Sequence, residues 1–178
     1  MGEDNSDALG QEKILRLRNA LSGGKFLTFL LKNKEYGVEI LKVQEILGLM
    51  PITPVPDSPS FLKGVINLRG KPVPVVDMRA KLDMSGSSLQ ENACIIVVRT
   101  AASQIGFIVD RINEVVNVSE TEVDLPSDKD ISVRSEYLLG IAKGSDKIRF
   151  LLDIDRILSD HDIPVDGKYN ESGGQGKA

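Results

Sequence analysis

"GVINLRGKPVPVVDMRAKL", from Gly64 to Leu82, and "GIAKGSDKIRFLLDIDRIL", from Gly140 to Leu158, decide how this chain is read. Set one over the other, they match at an offset of 76 (140 − 64). Gly64 falls on Gly140, Lys71 on Lys147, Val75-Val76 on Leu151-Leu152, Asp77 on Asp153 and Leu82 on Leu158. Each reads as two strands about a turn, closed by a short helix that an aspartate is suited to cap.

Working outward, a second pair of segments matches as well. "YGVEILKVQEIL" (Tyr36–Leu47) lies over "IGFIVDRINEVV" (Ile105–Val116) at an offset of 69. Gly37 falls on Gly106, Lys42 on Arg111, Val43 on Ile112, Glu45 on Glu114 and Ile46-Leu47 on Val115-Val116. Each follows an apolar strand, "FLTFLL" or "CIIVV", across a polar turn. The offsets differ by seven, so the second copy carries a seven-residue insertion within "SETEVDLPSDKDISVRSE", polar enough to be a loop. Each copy holds four or five short strands and little helix, which suggests a small closed barrel. A unit of about 60–70 residues buries too little surface to stand comfortably alone. The expected fold is therefore all-β with a few short helices: two pseudo-symmetric barrels sharing a core, with a groove between them.

The chain has 178 residues, 41% hydrophobic, 27% charged and 4% aromatic, with no Trp. Such a core rests on Val, Ile and Leu, which favours strands. The net charge of −4 supplies no basic stripe for nucleic acid. No apolar run reaches the ~18 residues of a membrane span, so no membrane insertion is expected. The lone cysteine, Cys94 in "ACIIVVRT", suits a reducing cytoplasm and reads as a small buried hydrophobe. Residues 1–24 form an N-terminal extension in which Ile14, Leu17 and Leu21 have helical spacing, with Ser6/Asp7 as start and Gly23-Gly24 as stop. Residues 25–160 carry the repeat. The tail, 161–178, is polar and Gly-rich and is expected to be disordered.

Catalytic chemistry finds no foothold. The one histidine, His161, begins the tail, and Asp160-His161-Asp162 reads as a solvated turn rather than a metal site. "SGGK" at Ser22–Lys25 lacks the preceding strand that a phosphate loop needs. The reading is of a protein that is not an enzyme and needs no cofactor or metal.

One corner resists a structural explanation. Arg69-Gly70 sits where the first copy must turn, and Gly70 suits a positive φ. Turn chemistry does not ask for a guanidinium, and the second copy has ordinary "KGSD" there. Arginine combines a donor fork with an apolar stem and is enriched at interface centres, so Arg69 reads as a contact residue. Pro72 and Pro74 point to one face and require a strand side left unpaired, which also protects an exposed edge.

"EYGVEILKVQEIL", "FLKGVINLRGKPVPVVDMRAKL", "GFIVDRINEVV" and "EYLLGIAKGSDKIRFLLDIDRIL" closely resemble the bacterial chemotaxis coupling protein family CheW, over about residues 25–160. The resemblance implies two SH3-like five-stranded barrels. It implies an adaptor that couples the cytoplasmic tips of transmembrane chemoreceptors to the regulatory domain of the histidine kinase CheA. Such a protein is cytoplasmic and is recruited to membrane-associated receptor arrays. Carried over by motif, the receptor-binding positions are Val43, Glu45, Arg69, Ile112 and Val115. For Val43, Ile112 and Val115 ordinary core packing is the competing explanation. Kinase-binding residues stay unassigned, because the insertion reads "DLPSDKD" without the family's usual apolar and basic residues. The alternative is the CheW-like input domain of a CheV-type adaptor, against which stands the absence of a receiver before Ala178.

Overall fold

The structure is a computed structural model, and it describes residues 3–84, 91–101, 103–126, 133–144, 146–159 and 163. His161, Asp160, Asp162 and nearly all of the tail lie outside the described residues, as does Ser145 at the second copy's corner. The chain divides into two compact units. The first comprises Met1–Leu41 with Ile112–Asp153, the second Lys42–Arg111 with Ile154–Ala178.

The first unit holds α1 (Glu3–Gly23), β1 (Lys25–Leu31), β2 (Lys34–Glu39), β8 (Arg111–Asn117), β9 (Val123–Asp124), β10 (Leu138–Lys143) and β11 (Ile148–Leu152). Its sheet runs β8-β1-β2-β11-β10-β9. The second holds β3 (Val43–Gly48), β4 (Leu62–Leu68), β5 (Lys71–Asp77), α2 (Met78–Lys81), β6 (Cys94–Arg99), β7 (Gln104–Val109) and α3 (Ile154–Ile157). Its sheet runs β3-β6-β7-β5-β4.

Under the two offsets, β1, β2, β3, β4 and β5 correspond to β6, β7, β8, β10 and β11. The two sheets then have the same strand order, with β9 added to the first. Register agrees as well. Thr28↔Gly37 in β1–β2 becomes Val97↔Gly106 in β6–β7, and Gly64↔Val75 in β4–β5 becomes Gly140↔Leu151 in β10–β11. Even the register shift between Leu62 and Gly64 recurs between Leu138 and Gly140.

The copies do not, however, fold one per sheet as the contiguous repeat suggests. Each sheet takes the first hairpin of one copy and the remaining strands of the other. The parallel pairs β2–β11, with Gly37 opposite Leu151, and β5–β7, with Val75 opposite Gly106, join them. A parallel neighbour needs a long crossover, and the rest of the chain supplies it. Glycine recurs at these junctions because space is short. A Cβ on Gly106 would lie 2.9 Å from Ile95 and one on Gly37 3.2 Å from Leu151.

Around α1 the first unit buries Leu17, Ala20 and Leu21 against Phe26, Val118, Leu139, Ala142 and Leu151. The helix is 21 residues long, starting three residues before the expected Ser6 and ending at the expected Gly23. Arg16 donates to Asp153 at 2.8 Å, and the counterpart Asp77 caps α2 by accepting from the amide of Arg79. The insertion is not wholly loop either. Val123 packs on the core and β9 pairs with Ile141 and Ala142 of β10. One inward valine in a two-residue strand is too little pattern to mark it in sequence. In the second unit Ile66, Val73, Val75, Ile95, Val97 and Ile108 form the core. Cys94 is half-buried rather than buried, because it opens β6 opposite the exposed Gly48 at the strand's rim.

Candidate functional site

The second hairpin of the first copy turns in two residues, since Leu68 pairs with Lys71. Arg69 has φ 53° and Gly70 φ 83°, both positive as a type I′ turn demands. Glycine accepts this freely, whereas for arginine the left-handed region costs about 1–2 kcal/mol. The amide of Gly70 donates to Asn67 Oδ1 at 2.8 Å, which closes the turn.

At this corner the Arg69 side chain is 74% exposed and reaches β3 of the same unit. Its Nη1 donates to Glu45 Oε2 at 3.0 Å and its Nη2 to Glu45 Oε1 at 2.8 Å, a two-pronged pair. Glu45 itself is 26% exposed. The pair leaves the outer edge of the guanidinium open, oriented and charged, next to the half-buried Leu68. Such a group can take a carboxylate or a backbone carbonyl from a partner without searching its rotamers.

The neighbouring prolines fit this corner. Pro72 and Pro74 stand opposite Asn67 and Val65, and β5 meets β7 only from Val75 onward. Their missing donors therefore precede the described ladder with β7, but Pro74 is buried, so the exposed edge expected here is not seen at that residue.

Val43 opens β3 opposite Val98 and is half-buried, so it contributes to packing as well as to the surface. Val43, Glu45 and Arg69 belong to the second unit. Ile112 and Val115 belong to the first, on β8, where Ile112 is half-buried and Val115 is 52% exposed.

The repeat supplies a comparison for the Arg–Glu pair. Glu114, the counterpart of Glu45, also meets an arginine, Arg149, at 3.5 Å. There the arginine comes from within β11 and is held by Glu35, whose Oε1 accepts from Arg149 Nε at 3.0 Å and from Asn113 Nδ2 at 2.8 Å. Burial pushes the Glu35 carboxyl up, but hydrogen bonds from Arg149 and Asn113 and the guanidinium charge outweigh it. The group stays below the usual glutamate range. This second arginine is enclosed within the first unit, while Arg69 is displayed. The sequence does not mark Arg149, since Lys147 and Arg149 alternate in "KIRFLL" and read as a strand's solvent face. The signal available was its distance of two residues from Leu151, which faces Gly37.

Among the described residues no group of three or more His, Cys, Asp or Glu side chains could hold a metal ion. No helix among them is long and apolar enough to cross a membrane.

The chain as a whole is similar to known proteins. A family model described as the CheW-like domain matches residues 25–162. The chain is 34% identical to "Chemotaxis protein CheW" of Klebsiella aerogenes over 156 residues, covering 88% of this chain and 94% of that one. It is 33% identical to "Chemotaxis protein CheW" of Thermotoga maritima, covering 81% and 93%. Among solved structures it resembles the scaffolding protein TtCheW of Thermoanaerobacter tengcongensis, with TM-score 0.74, 27% identity, and coverage of 81% and 99%.

Proposed function

Because the chain belongs to the CheW family of chemotaxis proteins, we propose that it is a non-enzymatic adaptor that couples chemoreceptor cytoplasmic tips to the regulatory domain of the histidine kinase CheA. In this reading it works in the cytoplasm and is recruited to receptor arrays at the membrane. Arg69 is the receptor-facing anchor, Glu45 holds its guanidinium, and Val43, Ile112 and Val115 supply apolar contact. The observation that carries the site reading is the placement of Arg69. A bulky residue occupies a left-handed turn position, at a backbone cost, and its charge is held outward by two hydrogen bonds. Folding alone would be served better by Asn or Gly at this position.

The test is reconstitution. Kinase, a receptor cytoplasmic fragment and this protein are mixed, and kinase autophosphorylation is followed with each component left out in turn. Stimulation that requires all three supports the adaptor. Turnover of a phosphoryl or hydrolytic substrate by this protein alone, abolished by its own mutation, would overturn it.

A further inference from the structure

The β3–β6 ladder shifts register between Val43 and Glu45, so Gln44 is an extra residue without a ladder partner. A bulge of this kind re-aims the side chains beside it, and nothing in the ladder fixes its own conformation. Here a side chain does so: Gln104 Nε2, at the start of β7, donates to Gln44 Oε1 at 2.6 Å. The equivalent positions in the other unit are bonded too. Sixty-nine residues on from Gln44 stands Asn113, and sixty-nine before Gln104 stands Glu35; Asn113 Nδ2 donates to Glu35 Oε1 at 2.8 Å. The same two strands are tied in both sheets by different residues.

The first unit adds further ties. Thr28 Oγ1 donates to the Glu114 carbonyl at 2.8 Å and accepts from its amide at 3.1 Å, and Arg149 bridges Glu35 and Glu114. In the second unit the counterparts of Thr28 and Arg149 are Val97 and Val73, whose side chains form no hydrogen bonds. The ladder pairs Glu45 itself with Val97, and at the bulge residue beside it the Gln104–Gln44 bond supplies a side-chain tie.

We propose that Gln104 is a positioning residue for the Arg69 anchor. By tying the bulge residue Gln44 it sets the direction of the next side chain, Glu45, and so the orientation in which Glu45 holds the Arg69 guanidinium. The functional half of this inference rests on the receptor reading of Arg69.

Two variants at one position test it. Gln104→Leu keeps the volume and removes the bond. Gln104→Glu keeps an acceptor to which the Gln44 amide can turn and donate, as Asn113 does to Glu35. Affinity for an immobilised chemoreceptor cytoplasmic-tip fragment is measured for both, with Arg69→Ala alongside, and rotation of the Arg69 guanidinium is followed by ¹⁵N NMR in the unbound protein. Loss of one positioning hydrogen bond should weaken binding roughly three- to tenfold in Gln104→Leu, while Gln104→Glu stays within about twofold of the parent. Guanidinium rotation should quicken in the Leu variant only. If Gln104→Leu binds like the parent while Arg69→Ala binds weakly, the positioning role is wrong and the receptor reading stands. Equal weakening by Leu and Glu also overturns it, because the tie would then not be what matters. If Arg69→Ala binds normally, the receptor reading falls, and unchanged guanidinium rotation in Gln104→Leu would refute the positioning role by itself.

Discussion

Arg69→Asn separates what this corner does for the fold from what it does for a partner. The turn needs positive φ at both central residues, 53° at Arg69 and 83° at Gly70, and Asn-Gly is the pair that suits such a turn best. The substitution relieves part of the ~1–2 kcal/mol that a left-handed conformation costs a long side chain. It also removes an ion pair whose arginine is 74% exposed, worth about 0.2–1 kcal/mol. The hydrogen bond from Gly70 to Asn67 is untouched. The two changes oppose each other, leaving a net effect between about zero and +1 kcal/mol of stability. For a chain of this length that moves the thermal midpoint upward by no more than roughly 2–4 °C. Binding should respond quite differently. An arginine at the centre of an interface contributes about 2 kcal/mol or more, so receptor-fragment affinity should fall roughly thirtyfold. Thermal unfolding by circular dichroism and titration against an immobilised receptor fragment measure the two quantities. Unchanged affinity would refute the anchor, and a fall in stability beyond about 1.5 kcal/mol would refute the turn argument.

Other expectations concern the frame. Tyr36 lies fully buried, packed between Phe29 and Phe150, with no hydrogen-bond partner for its hydroxyl among the described residues and its ionisation pushed up to about 12 by burial. The unfolded chain therefore loses this proton first, and stability should fall as pH rises from about 10 to 12 at up to ~1.4 kcal/mol per unit. Tyr36→Phe should abolish that slope and raise stability by about 1 kcal/mol in urea titration. Arg149→Ala leaves the Glu35 carboxylate, which is 8% exposed, without its cation, and should cost about 3 kcal/mol at neutral pH. Because the folded Glu35 ionises below its usual range, the stability it contributes is present above the unfolded value of about 4.5 and is lost as pH falls through the lower folded one. Glu35→Gln should flatten that acid limb; an unchanged acid limb would show that Glu35 is not its source. Gly64→Ala should disrupt folding more than Gly140→Ala. A Cβ on Gly64 would meet the Thr53 carbonyl oxygen at 2.1 Å with φ at +143°, whereas on Gly140 it meets first a side chain, Val123, at 2.5 Å. Expression and denaturation midpoints of the two variants decide the order.

What the sequence determined by itself was everything short-range and everything repeated. Hairpins are local, so alternating Val, Ile and Leu about "KN", "RG" and "KGSD" was enough to place the strands. The offsets of 69 and 76 carried the ladder registers, because a slip of one residue would turn every core side chain outward. The oddity of Arg69 was also legible, since a turn residue that no turn requires stands out without any structure. Tertiary structure decided which hairpin joined which sheet. Gly37 stands opposite Leu151 as Gly106 stands opposite Val75, and both copies carry the same pattern, so strand chemistry alone could not choose between pairing within a copy and pairing across copies. It also decided what polar residues far apart in the chain would meet: Glu35 with Asn113 and Arg149, Gln44 with Gln104. A single glutamine or arginine in a strand has no period to announce it, and its partner exists only once strands sixty or more residues apart have been brought side by side.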